Sequence, residues 1–324
     1  GDVYKRQVLS KEVHNVVFEQ EDLTTKEYVI NVDVTNIAPS GEIHLVKTDK
    51  DNEELLSGVI YQLSAKENVY SLDGRNILIY KAGDTVSKDI SQDGYYMTNE
   101  LGEINISNLP LGKYQLKEIT PLEGYYTDKA EYEIDLSYDH SDKVIYTKTL
   151  NVTNTKSTVE ISKVDTTNSK ELEGAHLSLY DKNNNLIEEW ISTNEPHIIR
   201  GLKINEEYRL HEELAPLGYA TASDITFIVT DDTVTKVTMK DEITKIDISK
   251  VDATTSEEIE GAKLTVTDKE TGEVIDNWTS AKEPHRIVGL TVGKTYILHE
   301  ELAPQGYLIA NDVEFTVLDS GEVQ

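Results

Sequence analysis

The sequence predicts an all-β chain built from repeated modules, and two observations carry that reading. Runs rich in Val, Ile, Thr and Tyr alternate apolar with polar residues and are broken by turn residues, the pattern of strands with one buried face. A strand-like run ending in lysine also recurs, as EIHLVK up to Lys47, TVEISK up to Lys163 and KIDISK up to Lys250.

The lysine-ending run is the first element of each module. In TVEISKVD, Thr158 to Asp165, Val159 and Ile161 point one way and Glu160 and Ser162 the other, so Lys163 falls on the apolar side. Lys250 shares a face with Ile246 and Ile248, and Lys47 with Ile43 and Leu45. An isolated ammonium at such a position loses much of its solvation. The lysine therefore sits at a wet strand end, has a buried partner, or gives up its charge in a reaction.

Composition narrows the function. The 324 residues suffice for several modest domains. The formal charge of -29 repels phosphate backbones, so nucleic acid is not an expected partner, and the acidity reads first as a device for solubility. The chain has no cysteine, which rules out disulfides and thiolate metal sites. No apolar run is long enough to span a membrane, and no signal peptide or wall-sorting tail is visible. Residues 1–7, GDVYKRQ, fit no strand pattern and are expected to be a non-native scar on a fragment of a longer protein, so missing targeting signals carry no weight.

Taken in order, residues 1–38 read as the tail of a preceding module, with strand-like HNVVFEQ and KEYVINVDVTN; Val32, Val34 and Asn36 share a face of the second. Residues 41–155 form the longest module. It has turn signals at Ser57-Gly58, Asp73-Gly74, Ala82-Gly83-Asp84 and Asp93-Gly94. A strand YQLKE follows, with Tyr114, Leu116 and Glu118 on one face, and a closing strand TLNVTN, with Leu150, Val152 and Asn154 on one face. Residues 157–243 form a shorter module: the Lys163 strand, a turn at Glu173-Gly174, a hairpin loop DKNNN, and a strand reaching Trp190. YRLHEE then places Tyr208, Leu210 and Glu212 on one face, and VTMKD places Val237, Met239 and Asp241 on one face. Residues 245–324 repeat this closely, with Trp278 and Glu300 in the places of Trp190 and Glu212, but without a closing acceptor strand. The links between modules are short, so semi-rigid beads in a row are expected.

Each complete module thus places a Lys, a Glu and an Asn or Asp at core-facing positions: Lys47, Glu118 and Asn154, then Lys163, Glu212 and Asp241. Lys250 and Glu300 lack a third member. In a dry core, burial disfavours both charged forms. A neutral amine is a nucleophile, and a protonated glutamic acid can polarise the carbonyl that the amine attacks and then shuttle protons to the leaving group. Ammonia would leave from Asn154 and water from Asp241. The fold supplies proximity, and the scheme needs no cofactor. The alternative is a hydrogen-bonded Lys–Glu pair with no covalent bond.

The lysine-ended strand, the segments KEITPLEGY, HEELAPLGY and HEELAPQGY, and the closing Asn or Asp strand resemble Cna protein B-type domains, also called SpaA-like prealbumin-fold domains, of Gram-positive surface adhesins and pilins. The resemblance covers residues 8–324. It implies tandem prealbumin-like (inverse immunoglobulin-like) β-sandwiches whose first and last strands are neighbours. It also implies spontaneous Lys–Asn or Lys–Asp isopeptide bonds. The family's reactive lysine falls on Lys47, Lys163 and Lys250, its catalytic acid on Glu118, Glu212 and Glu300, and its acceptor on Asn36, Asn154 and Asp241. In KEITPLEGY the proline is shifted by one position. The family's pilin motif and wall-sorting signal are not found, so a pilus shaft and the stalk of a monomeric adhesin both stay open.

The expected function is that of a structural stalk or spacer at the cell wall or surface of a Gram-positive bacterium, attached covalently to wall or pilus through regions beyond this sequence. The alternative is an adhesin module that contacts a host extracellular-matrix protein or a glycan, with 66–97, an insertion found only in the longest module, as the candidate surface. Turnover catalysis is not expected, because the reactive groups are consumed. No metal site is expected either: HEELA lacks the second histidine of a zinc helix, and DKNNN lacks the glycine and the final glutamate of a calcium loop. Trp190 and Trp278 read as packing residues ahead of sugar platforms. Residues 28–38 offer an acceptor strand and 245–324 an unpaired lysine, so head-to-tail pairing of copies is a further expectation.

Overall fold

The computed structural model describes residues 37–324 except 73, 74, 89–92, 232, 321 and 324. The strands expected before residue 37, the acceptor candidate Asn36 and the Asp73-Gly74 turn lie outside the described residues. The chain divides into two compact units, Gly1–Lys156 and Ser157–Gln324. Among the described residues every regular element is a strand.

In the first unit the strands are β1 (Ser40–Asp49), β2 (Ile60–Ala65), β3 (Val69–Tyr70), β4 (Leu78–Tyr80), β5 (Tyr95–Met97), β6 (Glu103–Leu109), β7 (Lys113–Thr120), β8 (Glu131–Asp135) and β9 (Ile145–Asn154). They form a sheet β6-β1-β9, a sheet β5-β2-β7-β8 and the small pair β3-β4. Alternation is strict on β1 and β2, where every second residue is buried. The inward residues, among them Ile43, Leu45, Tyr61, Leu63, Tyr114 and Leu116, make one core. The opening and closing strands, β1 and β9, are adjacent and parallel.

In the second unit, β10 (Thr158–Asp165), β11 (His176–Asp181), β12 (Leu186–Ile191), β13 (His197–Arg200), β14 (Glu207–Leu214), β15 (Ile225–Ile228) and β16 (Thr235–Asp241) repeat this design as sheets β13-β10-β16 and β12-β11-β14-β15, with β10 and β16 parallel. Then come β17 (Lys245–Ile248), β18 (Lys263–Asp268), β19 (Val274–Thr279), β20 (His285–Val288), β21 (Thr295–Leu302) and β22 (Val313–Thr316), in sheets β17-β20 and β19-β18-β21-β22. Each set encloses its own core. The DKNNN hairpin joins β11 to β12, with Asn184 left-handed at φ 61 and Asp181 Oδ1 accepting from the backbone N–H of Asn183 and Asn185.

Within this unit Thr244 is a joint. Its backbone N–H donates to Gly218 O at 2.9 Å and its hydroxyl to Leu290 O at 2.6 Å. Thr221 N donates to Asp319 O at 3.2 Å. Gly218 has φ +84, and a Cβ on it would stand 2.9 Å from Gly289 O, so the loop approaches the next module as only glycine permits.

Two sequence expectations need correction. Lys250 does not end a strand: β17 stops at Ile248, because it pairs with β20 alone, whereas β10 is extended to Asp165 by its pairing with β16. The segment 66–97 is not wholly an insertion either. Its last residues are β5, which takes the edge position beside β2 that β12 takes beside β11. Val69, Val86 and Tyr96 from this segment are buried in the core.

Candidate functional site

The two sheets of each sandwich bring one polar cluster together. On β1 and β9 the parallel register sets Lys47 opposite Val152 and Asp49 opposite Asn154, so Asn154 lies two residues beyond the lysine's partner, on the same face. On β10 and β16, Lys163 is opposite Met239 and Asp165 opposite Asp241, the same diagonal. The glutamate comes from the facing sheet. Glu118 pairs with Tyr61, Glu212 with Leu177 and Glu300 with Leu264, and at each of these pairs the register shifts so that the residue after the glutamate has no partner. A bulge of this kind re-aims a side chain, and here it falls beside the same inward carboxylate in every module.

In the 41–155 module, Lys47 Nζ is 2.8 Å from Glu118 Oε2, with both side chains wholly removed from solvent. Lys47 Nζ also donates to Thr153 O at 3.2 Å. Glu118 Oε1 accepts from Asn154 Nδ2 at 3.0 Å and from the backbone N–H of Asp128 at 3.0 Å. Glu118 thus lies between the amine and the amide nitrogen. Asn154 Oδ1 is buried without a hydrogen-bond partner among the described residues. Burial pulls the Lys47 amine below its usual value, with the Glu118 carboxylate opposing the shift. Tyr61 lies at this site as well: its hydroxyl donates to Glu118 Oε2 at 3.1 Å, and Lys47 Nζ is 5.5 Å from its ring centre. Burial raises the phenol strongly, and Glu118 adds to the rise, so Tyr61 stays a donor.

In the 157–243 module, Lys163 Nζ is 2.8 Å from Glu212 Oε1 and contacts Asp241 Oδ1 directly. Glu212 Oε2 accepts from Ala222 N at 2.6 Å. Asp241 Oδ2 is buried without a hydrogen-bond partner among the described residues. Burial pushes the Asp241 carboxyl up to about 7; Lys163 opposes this and Glu212 adds to it. In the 245–324 module, Lys250 Nζ is 3.1 Å from Glu300 Oε1, with the lysine side chain 18% exposed. Glu300 Oε2 accepts from Ala310 N at 2.6 Å, matching the contact of Glu212. Among the described residues no hydrogen bond or ion pair joins this pair to an Asn or Asp.

Sequence reasoning missed Tyr61, whose counterparts are Leu177 and Leu264. Its place on an inward face was readable, but its hydroxyl's destination was not. Each tryptophan stacks on a histidine, Trp190 on His197 at 4.4 Å and Trp278 on His285 at 4.3 Å, which covers one ring face. Among the described residues no group of His, Asp and Glu is placed to hold a metal, and no helix is long and apolar enough to cross a membrane.

The family model for the SpaA prealbumin-like fold domain matches residues 41–151, 157–243 and 244–324. The chain belongs to that family. Its modules are prealbumin-like domains in tandem, as the resemblance implied. No curated protein matches in sequence. Among solved structures, the chain is similar to the Bacillus anthracis TIE protein at 20% identity and TM-score 0.44, covering 87% of this chain and 49% of that one. It is also similar to a streptococcal ancillary pilin at 25% identity and TM-score 0.29, covering 72% and 74%. Similarity to the pilus adhesin SpaC from Lactobacillus rhamnosus GG is at 15% identity and TM-score 0.33, covering 88% and 40%. The chain therefore spans about half the length of the first of these.

Proposed function

We propose that this chain is a structural spacer of a Gram-positive surface protein, pilin or adhesin, whose prealbumin-like modules close themselves with amide bonds from Lys47 to Asn154 and from Lys163 to Asp241. The observation that supports it is the buried Lys–Glu–Asn/Asp cluster, met twice, with the amine against the glutamate in both and the leaving nitrogen of Asn154 against the same carboxylate in the first. In the 41–155 module, Glu118 takes a proton from Lys47 across the 2.8 Å contact, and the neutral amine attacks Asn154 Cγ. A C–N bond forms, Glu118 hands the proton to Nδ2, which already faces it at 3.0 Å, the bond to Nδ2 breaks, and Glu118 takes the second proton from the former amine and ends as the neutral acid. Ammonia leaves. In the 157–243 module, Glu212 plays the same role, Asp241 enters as the protonated acid, and water leaves. Each cluster acts once, so the chain is no turnover enzyme.

The Lys163–Asp241 bond would close most of its module into a loop, worth about 4–5 kcal/mol by the chain-entropy estimate used for disulfides. It would also tie the opening strand to the closing strand, so tension along the chain bypasses the rest of the sandwich. The test is the intact mass of the purified chain. The reading expects a loss of one ammonia and one water relative to translation, and an unchanged mass refutes it.

A second reading, a host-matrix protein or glycan contact through the 66–97 segment, is favoured by its exposed apolar residues Ile77, Leu78 and Ile79. Replacing those three by serine tests it without removing the buried Val69, Val86 and Tyr96. Unchanged adhesion would exclude it.

A further inference from the structure

We propose that the tyrosine of each Gly-Tyr pair is a positioning residue for crosslink formation: Tyr219, and likewise Tyr125, sets the strand register that lets amine and acceptor meet. The inference rests on the crosslinking reading above.

The contact repeats atom for atom. Tyr125 OH donates to Asp49 Oδ2, Tyr219 OH to Asp165 Oδ2 and Tyr307 OH to Asp252 Oδ2, each at 2.8 Å. In every case the aspartate stands two residues after the module's lysine. Its other oxygen is anchored by the following turn. Asp165 Oδ1 accepts from Thr167 N at 2.6 Å and Asn168 N at 3.2 Å, and Asp49 and Asp252 accept equivalent pairs. The tyrosine thus grips a fixed point at the end of the lysine strand.

The same tyrosines hold the acceptor strand through their backbone. Tyr219 bridges Ile243 and Tyr125 bridges Lys156, just past Asp241 and Asn154. The next N–H continues the tie, from Ala220 to Glu242 O at 2.9 Å and from Tyr126 to Thr155 O at 3.0 Å. The residue after each clamped aspartate returns to the acceptor itself: Thr166 N donates to Asp241 O and Lys50 N to Asn154 O, both at 2.9 Å. The tyrosine also sits in the loop directly after the glutamate strand. One residue therefore fastens together the ends of all the strands that supply the cluster, its hydroxyl at the lysine strand and its backbone at the acceptor strand.

Register decides whether that cluster can react. A slip of one residue between the parallel strands turns the acceptor side chain to the other face. A slip of two moves it by about 6.6 Å, far outside the roughly 3–3.5 Å of a reactive approach. The link is a phenol-to-carboxylate bond, of the stronger kind. The hydrogen bond from Tyr219 is the main force holding Asp165 below its usual value, and burial is the main force raising Tyr219. In the 41–155 module Lys156 Nζ reinforces it, 3.4 Å from Asp49 Oδ2.

The experiment is cell-free synthesis of the full chain as wild type and as Tyr219→Phe, sampled over time by intact mass. Tyr219→Phe should slow the water loss by roughly 10- to 100-fold and leave the ammonia loss unchanged as an internal control. Val229→Ala, which truncates a fully buried core residue that takes no part in the Tyr219–Asp165 contact, separates positioning from stability. It should close at the wild-type rate although less stable. Asp165→Asn should slow closure like Tyr219→Phe, and the double variant should be no slower than either. Should Tyr219→Phe misfold, Tyr125→Phe reads the same effect on ammonia loss. Closure of the phenylalanine variants at the wild-type rate, or equal slowing by Val229→Ala, overturns this inference alone. A wild-type chain that never loses water overturns the crosslinking reading and this inference with it.

Discussion

Lys163 Nζ lies 2.8 Å from Glu212 Oε1, with both side chains closed off from solvent and Asp241 in contact with the same amine. A buried cation with two carboxylates beside it is a costly arrangement as a static ion pair, since desolvation can exceed the Coulombic return. That cost is removed if the charges are lost in an amide.

Replacing Glu212 isolates one cluster from the other. Glu212→Ala should abolish the water loss and leave the ammonia loss of the 41–155 module intact, because Glu118 belongs to a separate cluster. Intact mass reads both at once. Loss of both signals, or of neither, contradicts the assignment.

Closure at Asp241 should depend on pH. Its carboxyl is raised in the folded chain to about 7 from 3.8. The folded, still open form therefore binds a proton here that the unfolded chain releases, so the contribution of this group to stability is fully present below about pH 4 and is lost as pH rises through about 7. The competent state holds two protons over Lys163, Glu212 and Asp241, and it is depleted above the raised value. Water loss followed during cell-free synthesis should slow roughly tenfold per pH unit above 7. A rate that increases steadily through that range counts against it.

Tyr61→Phe removes a buried donor to Glu118 and should lower the stability of the 41–155 module by about 1–2 kcal/mol. Denaturant unfolding measures this, while water loss from the 157–243 module stays at its wild-type rate. An unchanged midpoint would mean that the hydroxyl contributes nothing.

Trypsin should distinguish the lysines. Lys250 is partly exposed and among the described residues its amine meets Glu300 alone, so it should remain a free amine and be cut in the denatured protein. Lys47 and Lys163, if acylated, should resist. Cleavage after all of them would show that no bond had formed.

Which residues face inward was legible at Lys47, Lys163, Glu118, Glu212, Asn154 and Asp241, because a strand's period of two assigns a face without knowledge of the partner strand. What could not be read depends on pairing between strands remote in sequence. The bulge beside each glutamate exists only relative to β2, β11 or β18. The Tyr219–Asp165 contact joins residues whose link appears only once the loop after β14 has folded onto the end of β10. Lys250 misleads because alternation continues to it in sequence, while the strand depends on a neighbour to extend it. Tyr96 falls within the apparent insertion because a three-residue edge strand carries too short a pattern to recognise.

The Thr244 joint bears on how a pull or a sideways push is transmitted. Flexing the 157–243 and 245–324 modules against each other would strip Thr244 of its hydrogen bonds to Gly218 and Leu290 and pull apart the touching backbones of Gly218 and Gly289. Compliance is thereby taken out of the seam, and a load reaching one sandwich is passed to the next without a slack hinge between them. Any side chain larger than hydrogen at Gly218 would wedge that seam open and restore the give.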